Sequence, residues 1–163
     1  MALRIEWLGI AEGCTHDARG ALALVGVNQN VIQAPRLPHI MKEVFVLYVA
    51  DEDGDGLAEG TEITVDFRLE SPSGAILSAA RSSAKLAQRT FPTIPAIHLQ
   101  FVAEAMVAFD EYGAYVVKCT VEAAGRSSVS GEKKLYVIEP SLSSGNPLRG
   151  ADSSQGSVVG ADR

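Results

Sequence analysis

The fold is decided by residues 44–70, which read VFVLYVADEDGDGLAEGTEITVDFRLE. Residues 44–50 are apolar throughout, which is typical of a strand buried on both faces. In residues 61–70 apolar and polar side chains alternate, which indicates a strand with one face on a core and the other in water. The two strands flank the acidic residues 51–60, so this stretch predicts a β-hairpin with a charged loop.

The rest of the chain continues the β pattern. Strand-like segments separated by turn residues occupy residues 3–10, 21–32, 75–83, 97–109, 115–122 and 126–139. Residues 102–108 would also suit a helix, and a strand or extended segment is favoured because the chain on both sides is β. Residues 21–32 carry apolar side chains on both faces, and they predict a central strand. About eight short strands with almost no helical periodicity predict an all-β fold, an antiparallel, immunoglobulin-like β-sandwich.

One turn supports the immunoglobulin-like prediction. Gly113, Ala114 and Tyr115 open a late alternating strand. This is similar to the turn of immunoglobulin-like domains in which a tyrosine hydroxyl ties the strand to the preceding loop. The Tyr-x-Cys spacing that is usual in those domains is absent.

Composition divides the chain into a domain and a tail. Hydrophobic residues make up 47% of the chain and charged residues 21%, which is normal for a chain that buries a core. Residues 140–163 are rich in Ser, Gly and Asp and lack aromatic residues. Such a segment buries too little apolar surface to offset its ordering entropy. We expect a β-sandwich domain at residues 1–139 and a disordered tail at residues 140–163.

Charge and hydropathy exclude several classes of partner. A net charge of −6 argues against nucleic-acid binding, which needs a basic surface. No apolar run approaches the roughly 20 residues that span a bilayer. Arg4 and Glu6 interrupt the apolar start, which predicts a first strand and not a signal peptide. We expect a cytoplasmic protein with no membrane contact.

The chain has two cysteines, Cys14 in a turn and Cys119 on the inward face of a strand. A buried free thiol packs as a small hydrophobic group. We expect two free thiols in a reducing compartment, with a disulfide between them as the alternative.

The acidic loop holds the one motif with metal-binding chemistry. Asp51, Asp53, Asp55, Gly56 and Glu62 match D-x-D-x-D-G-x5-E, the calcium loop of EF-hands. An EF-hand needs helices on both sides, and here strands flank the loop. We therefore expect a solvated connection in which Asp and Gly serve turn geometry. The four carboxylates remain the candidate ligands of a calcium loop at one end of the sandwich.

Other reactive residues are sparse. Cys14, His16 and Asp17 have a C-x-H-D spacing, but a zinc site needs about four ligands. With three histidines and no G-x-S-x-G motif, no catalytic triad can be argued. No Gly-rich phosphate loop follows a strand and opens a helix. The sequence predicts a protein that is not an enzyme and holds no cofactor.

Four segments carry a family resemblance: RIEWLGIAEG at residues 4–13, ALALVGVNQNVIQAPRLPHI at 21–40, FVLYVADEDG at 45–54 and DEYGAYVVKCTVEAAG at 110–125. They resemble an uncharacterised family of small bacterial β-domains with an L-x-G strand, an APxxP-like connection and a PGxYxF-type late strand. The resemblance covers residues 3–138. Tyr112 and Gly113 stand where that family has Pro-Gly. No activity is established for the family, so the resemblance implies a fold only.

These observations favour a non-catalytic β-sandwich module that acts through a protein partner or self-association. A calcium- or ligand-binding module that uses residues 51–62 is the second hypothesis. The third hypothesis is a structural or decoration component of a larger assembly such as a virion, which is a fold analogy.

Overall fold

The computed structural model describes residues 3–18, 21–27, 30–51, 59–86, 97–125 and 127–141. None of these residues lies in a helix, and ten β-strands account for most of them. The strands are β1 Leu3–Ala11, β2 Gly13–His16, β3 Leu22–Val25, β4 Val31–Gln33, β5 His39–Asp51, β6 Glu62–Glu70, β7 Ile76–Lys85, β8 Ile97–Phe109, β9 Gly113–Ala123 and β10 Val129–Ile138.

The strands form two sheets that pack face to face. One sheet has three strands in the order β1-β5-β8, and the other has five in the order β4-β10-β9-β6-β7. Strands β2 and β3 form a separate two-stranded sheet, which we call the β2–β3 flap. Among the described strands only β4 and β10 pair in parallel. The prediction of an all-β sandwich is confirmed.

The core lies between the two sheets and follows the alternation of the sequence. Strand β6 buries Ile63, Val65, Phe67 and Leu69, and strand β9 buries Tyr115, Val117, Cys119 and Val121. Strand β5 contributes Phe45, Leu47 and Val49 from the opposite sheet. The rings of Phe45 and Phe67 stack across the core with centroids 6.3 Å apart. The inward-facing side chains of the two sheets therefore cover each other.

The predicted β-hairpin is wrong. Strand β5 pairs with β1 and β8, and strand β6 pairs with β7 and β9. The chain thus crosses from one sheet to the other between Asp51 and Glu62. The alternation of a strand fixes which of its faces is buried but not which strand lies beside it, so an apolar inner face is compatible with either arrangement.

Residues 44–50 of β5 are buried on both faces, as the sequence predicts. Its outward residues Val44 and Val46 are fully buried in a second, smaller cluster with Ala11. Trp7 and the β2–β3 flap cover this cluster, and the Trp7 ring lies 5.6 Å from the Tyr48 ring. The sheet is therefore covered on its outer side over only part of its length.

The prediction of one central strand at residues 21–32 is also wrong. The segment forms two strands, β3 in the flap and β4 at the edge of the five-stranded sheet. Gly26 has a φ of +64°, a left-handed conformation that ends an extended strand. Ala23 and Val25 are exposed because the flap has only one covered face.

The predicted tyrosine turn is confirmed. The Tyr115 hydroxyl donates to the Glu111 carbonyl oxygen at 2.8 Å and accepts from the Glu111 amide at 3.1 Å. The Tyr115 ring meets Phe109 edge-on at 5.0 Å between centroids. Both main-chain groups of Glu111 are thus held by one buried side chain.

The last described strand ends at Ile138, and residues 142–163 lie outside the described part of the chain. The domain boundary at residue 139 and the disordered tail at residues 140–163 therefore stay predictions. The described ranges contain no helix of the length and apolarity needed to cross a membrane.

We expect Tyr115→Phe to lower the free energy of unfolding by roughly 1–3 kcal/mol, because it leaves the amide and carbonyl of Glu111 without their partner. Chemical denaturation measures the change. Tyr136→Phe is the matched control, since the Tyr136 hydroxyl makes no hydrogen bond to the described residues and the ring is exposed. Equal stability of the Tyr115→Phe and wild-type proteins would show that the hydrogen bonds of the Tyr115 hydroxyl contribute nothing to the free energy of unfolding.

Candidate interaction surfaces

An apolar groove of about 560 Å³ lies on the outer face of the five-stranded sheet. We call it the β9–β10 groove. Its lining residues are Tyr112, Gly113, Ala114, Tyr136, Val137, Ile138 and Glu139. The alternation of β10 produces it, because Leu135 and Val137 are buried in the core while Tyr136 and Ile138 face outward.

Neighbouring elements fix the shape of this groove. The Tyr112 hydroxyl donates to the Ala34 carbonyl oxygen at 3.0 Å, which anchors the ring at one side. Gly113 has a φ of +142°, and a Cβ there would lie 2.9 Å from Cγ of Pro72. Val31 of β4 pairs with Tyr136 and is 48% exposed, which extends the apolar surface to the sheet edge.

The β9–β10 groove has the composition of a protein contact. Tyr112, Tyr136 and Ile138 are 41%, 42% and 40% exposed, although all three are large and mostly apolar. Exposed tyrosines are enriched at protein interfaces because the ring buries a large area and the hydroxyl can still bond to water or partner. The groove suits the apolar side chains of a partner better than a charged ligand.

The middle of this sheet face is polar. Lys118 Nζ lies 2.6 Å from Glu70 Oε2, and Arg81 Nε lies 3.8 Å from Asp66 Oδ1. The hydroxyls of Thr120 and Ser130 are 3.1 Å apart on adjacent strands. These charges are paired with each other across strands, so the exposed apolar residues that the structure describes on this face are those of the β9–β10 groove, with Val31 beside it, and Ile76 on β7 at the far edge.

The other sheet carries a cluster of three reactive side chains on its outer face. The Glu104 carboxylate lies 2.7 Å from Lys42 Nζ and accepts a hydrogen bond from the Cys14 thiol at 3.0 Å. Lys42, and then Cys14, lower the pKa of Glu104 through these bonds. The same bond to Glu104 raises the pKa of the Cys14 thiol. Cys14 is therefore held as a neutral thiol, which is a weak nucleophile.

The C-x-H-D residues do not converge on one point. Cys14 bonds to Glu104 of another strand, while Asp17 accepts the Ala21 amide at 2.9 Å as a turn residue does. Within the described ranges, no group of three or more His, Cys, Asp or Glu side chains could hold a metal ion.

Both cysteines are free, as predicted. Cys119 lies in the core, its Sγ is 3.6 Å from the Gly131 carbonyl oxygen, and burial raises the pKa of its thiol. The compartment in which the thiols stay reduced remains a prediction.

The acidic loop is described only at its two ends. Asp51 is the last residue of β5 and Glu62 the first of β6, and the two strands belong to opposite sheets. Asp53 and Asp55 lie outside the described residues. The strand flanks expected from the sequence are confirmed, and calcium binding itself stays a prediction.

Glu43 is a buried carboxyl that no sequence motif marks. It is 1% exposed, and neither carboxylate oxygen has a hydrogen-bond partner among the described residues. Its neighbours on the same face of β5, Met41 and Phe45, pack in the main core. Burial, and then the charge of Glu12, raise the pKa of Glu43 to about 7. Its position between Lys42 and a long apolar run gave no signal that it faces inward.

No family model matches the chain, and no curated protein matches it either. The resemblance to small bacterial β-domains therefore stays a prediction. Among solved structures, the chain is similar to one described as the crystal structure of the C-terminal domain of wzt. The two share 10% identity with a TM-score of 0.48, over 94% of this chain and 84% of that one. A likeness at this level carries no argument about function.

We expect the stability of the wild type, relative to Glu43→Gln, to fall as pH rises from 4.5 to about 7. The reason is that the raised pKa makes ionisation costly only in the folded state, so stability is greatest while the carboxyl is protonated. Over this pH range the free energy of unfolding of the wild type should fall by about 3 kcal/mol relative to that of Glu43→Gln. Denaturation at a series of pH values measures it, with the exposed Glu132→Gln as control. If the unfolding free energies of the wild type and Glu43→Gln change with pH in the same way, the raised pKa of Glu43 is contradicted.

We expect millimolar calcium to leave the melting temperature unchanged. A cation stabilises a folded protein only if the folded state binds it, and a solvated connection does not. Differential scanning calorimetry with and without calcium measures this. A melting temperature that rises with calcium but not with magnesium would instead indicate a calcium loop. The double variant Asp53→Ala, Asp55→Ala should then abolish the rise.

Proposed function

We propose that the protein is a non-catalytic β-sandwich interaction module that contacts a protein partner through the β9–β10 groove. The observation that carries the proposal is the exposure of Tyr112, Tyr136 and Ile138 together around one groove. Single exposed apolar residues are ordinary on protein surfaces, whereas a contiguous group marks a contact site.

The geometry favours a partner that inserts an apolar side chain between the two tyrosines. The groove is formed by residues at the start of β9 and the end of β10, and paired strands hold a contact surface more rigidly than a loop does. Glu139 lines the groove and the exposed Lys134 lies two residues before Tyr136 on the same face of β10, so these two charged residues supply a hydrated rim. A buried apolar centre with a polar rim is the usual anatomy of a specific protein contact.

The chemistry of the described residues supports the non-catalytic part of the proposal. The Cys14 thiol is stabilised in its protonated form by Glu104, the opposite of what a nucleophile needs. The Glu43 carboxyl has a raised pKa, but it is buried in the core and does not line the groove.

The calcium- or ligand-binding module and the assembly component remain alternative hypotheses, and no contact among the described residues favours either one. The net charge of −6 supports a partner that is neither nucleic acid nor an anionic membrane surface. Cytoplasmic location likewise stays a prediction.

Site-specific photo-crosslinking in the cells of origin tests the proposed contact. We expect a photoreactive phenylalanine at position 136 to trap a discrete protein adduct, and the same residue at the exposed position 81 to trap none. Adducts of equal yield at both positions, or no adduct at position 136, would overturn the groove as the contact.

A pair of charge substitutions tests the groove chemistry in the same experiment. Ile138→Asp should lower the adduct yield at position 136 about tenfold or more, because an aspartate cannot be buried in an apolar contact without a partner. Val25→Asp is the matched control, since Val25 is an exposed aliphatic residue in the β2–β3 flap, which covers the three-stranded sheet and not the groove. An equal effect of the two substitutions would contradict the proposal.

A further inference from the structure

The last described strand ends at the β9–β10 groove itself. Ile138 and Glu139 line the groove, and Ser141, two residues further on, is the last residue that the structure describes at this end of the chain. Tyr136 and Ile138 expose their side chains on the same strand, β10. The segment that follows Ser141 is therefore tethered beside this apolar surface, whatever else binds there.

The sequence after Ser141 provides a way back over the groove. Residues 142–145 read LSSG, the composition of a β-turn with Gly at its fourth position. Residues equidistant from a turn lie side by side when the chain reverses there. A reversal at residues 142–145 would bring Leu148 to the level of Glu139 and Arg149 to the level of Ile138.

The residues that would return match the chemistry of the groove. Pro147 and Leu148 are apolar, as are the tyrosine rings and the aliphatic side chain exposed in the groove. Arg149 follows them directly, and Glu139 at the rim carries the opposite charge. The adjacent aliphatic residues 158–159 have no basic neighbour in the sequence, so residues 147–149 fit the groove better.

We propose that residues 147–149 occupy the β9–β10 groove of their own chain and compete there with the protein partner. Leu148 enters between the two tyrosine rings, and Arg149 pairs with Glu139. A weak contact is sufficient, because a short tether holds a segment at an effective concentration on the order of millimolar. A contact of three residues needs no order in the rest of residues 140–163.

This regulation rests on the proposed function, because only a groove that binds a partner can be blocked. When the effective concentration of the segment equals its dissociation constant, the segment fills half of the grooves. The apparent affinity for the partner then falls in proportion to the grooves that stay open, which is about twofold. Occupancy of the groove by the segment, in contrast, can be measured with no partner present.

Nuclear magnetic resonance of the purified full chain with labelled isoleucine methyl groups measures this occupancy. We expect Leu148→Asp to shift the Ile138 methyl signal, because the variant empties the groove. Ile76 is the internal control, since it is 58% exposed on β7 at the far edge of the same sheet. Val158→Asp is the matched control variant and should shift neither signal. An Ile138 signal that Leu148→Asp leaves in place, or that both variants shift equally, overturns the proposal.

Photo-crosslinking of the purified chain tests the charge pairing and the origin of the segment. A photoreactive phenylalanine at position 136 should form a crosslink to residues 147–149 within one chain, which mass spectrometry locates. Arg149→Glu and Glu139→Arg should each lower its yield, and the double variant should restore it. A crosslink between two chains, with a yield that rises with protein concentration, would assign the groove to a second copy and overturn the proposal.

Crosslinking at position 136 in the cells of origin separates the failure of this proposal from that of the proposed function. We expect Leu148→Asp to raise the yield of the partner adduct about twofold or more, and Val158→Asp to leave it unchanged. A partner adduct with equal yield in wild type and Leu148→Asp overturns the competition and keeps the proposed function. An intrachain crosslink to residues 147–149 without any partner adduct overturns the proposed function and keeps the segment as the occupant.

Discussion

The packing of β5 against β6 across the core is the constraint on which the rest of this structure depends. The stacked rings of Phe45 and Phe67 mark the place where the two sheets meet. Each strand needs a surface to cover its apolar inner face, and each strand supplies that surface to the other. Strand β5 also needs a cover on its outer face, which explains why Trp7 and the β2–β3 flap lie where they do.

This arrangement divides the surface into two sides with different chemistry. The five-stranded sheet exposes paired charges around the β9–β10 groove, whereas the three-stranded sheet is covered at one end and bare at the other. The β9–β10 groove and the exposed end of the three-stranded sheet both arise where outward-facing side chains are apolar, such as Tyr136 and Met106. Glu43 is the converse, an ionisable group on an inward-facing position, and it links the stability of this core to pH.

Alternation in the sequence predicts which face of a strand is buried, and this worked for Ile63, Val65 and Phe67 on β6 and for Tyr115 on β9. It does not predict which strand is the neighbour, so β5 and β6 were assigned to a hairpin although they face each other. Apolar side chains on both faces of residues 21–32 predicted one central strand, whereas the segment forms a flap strand with one exposed face and a second strand at the sheet edge. Residues 135–138 are all apolar, so no alternation in the sequence marks Tyr136 and Ile138 as outward-facing. The inward orientation of Glu43 likewise depends on tertiary packing that no local pattern encodes.

The placement of β5 and β6 in opposite sheets is tested most directly by nuclear Overhauser contacts in the full chain. Paired antiparallel strands bring Hα atoms of opposite residues close together, while facing strands bring only side chains together. We expect Hα contacts of β5 with β8 and of β6 with β9, and ring contacts between Phe45 and Phe67 without backbone contacts. Hα contacts between residues 44–50 and residues 61–70 would contradict this placement.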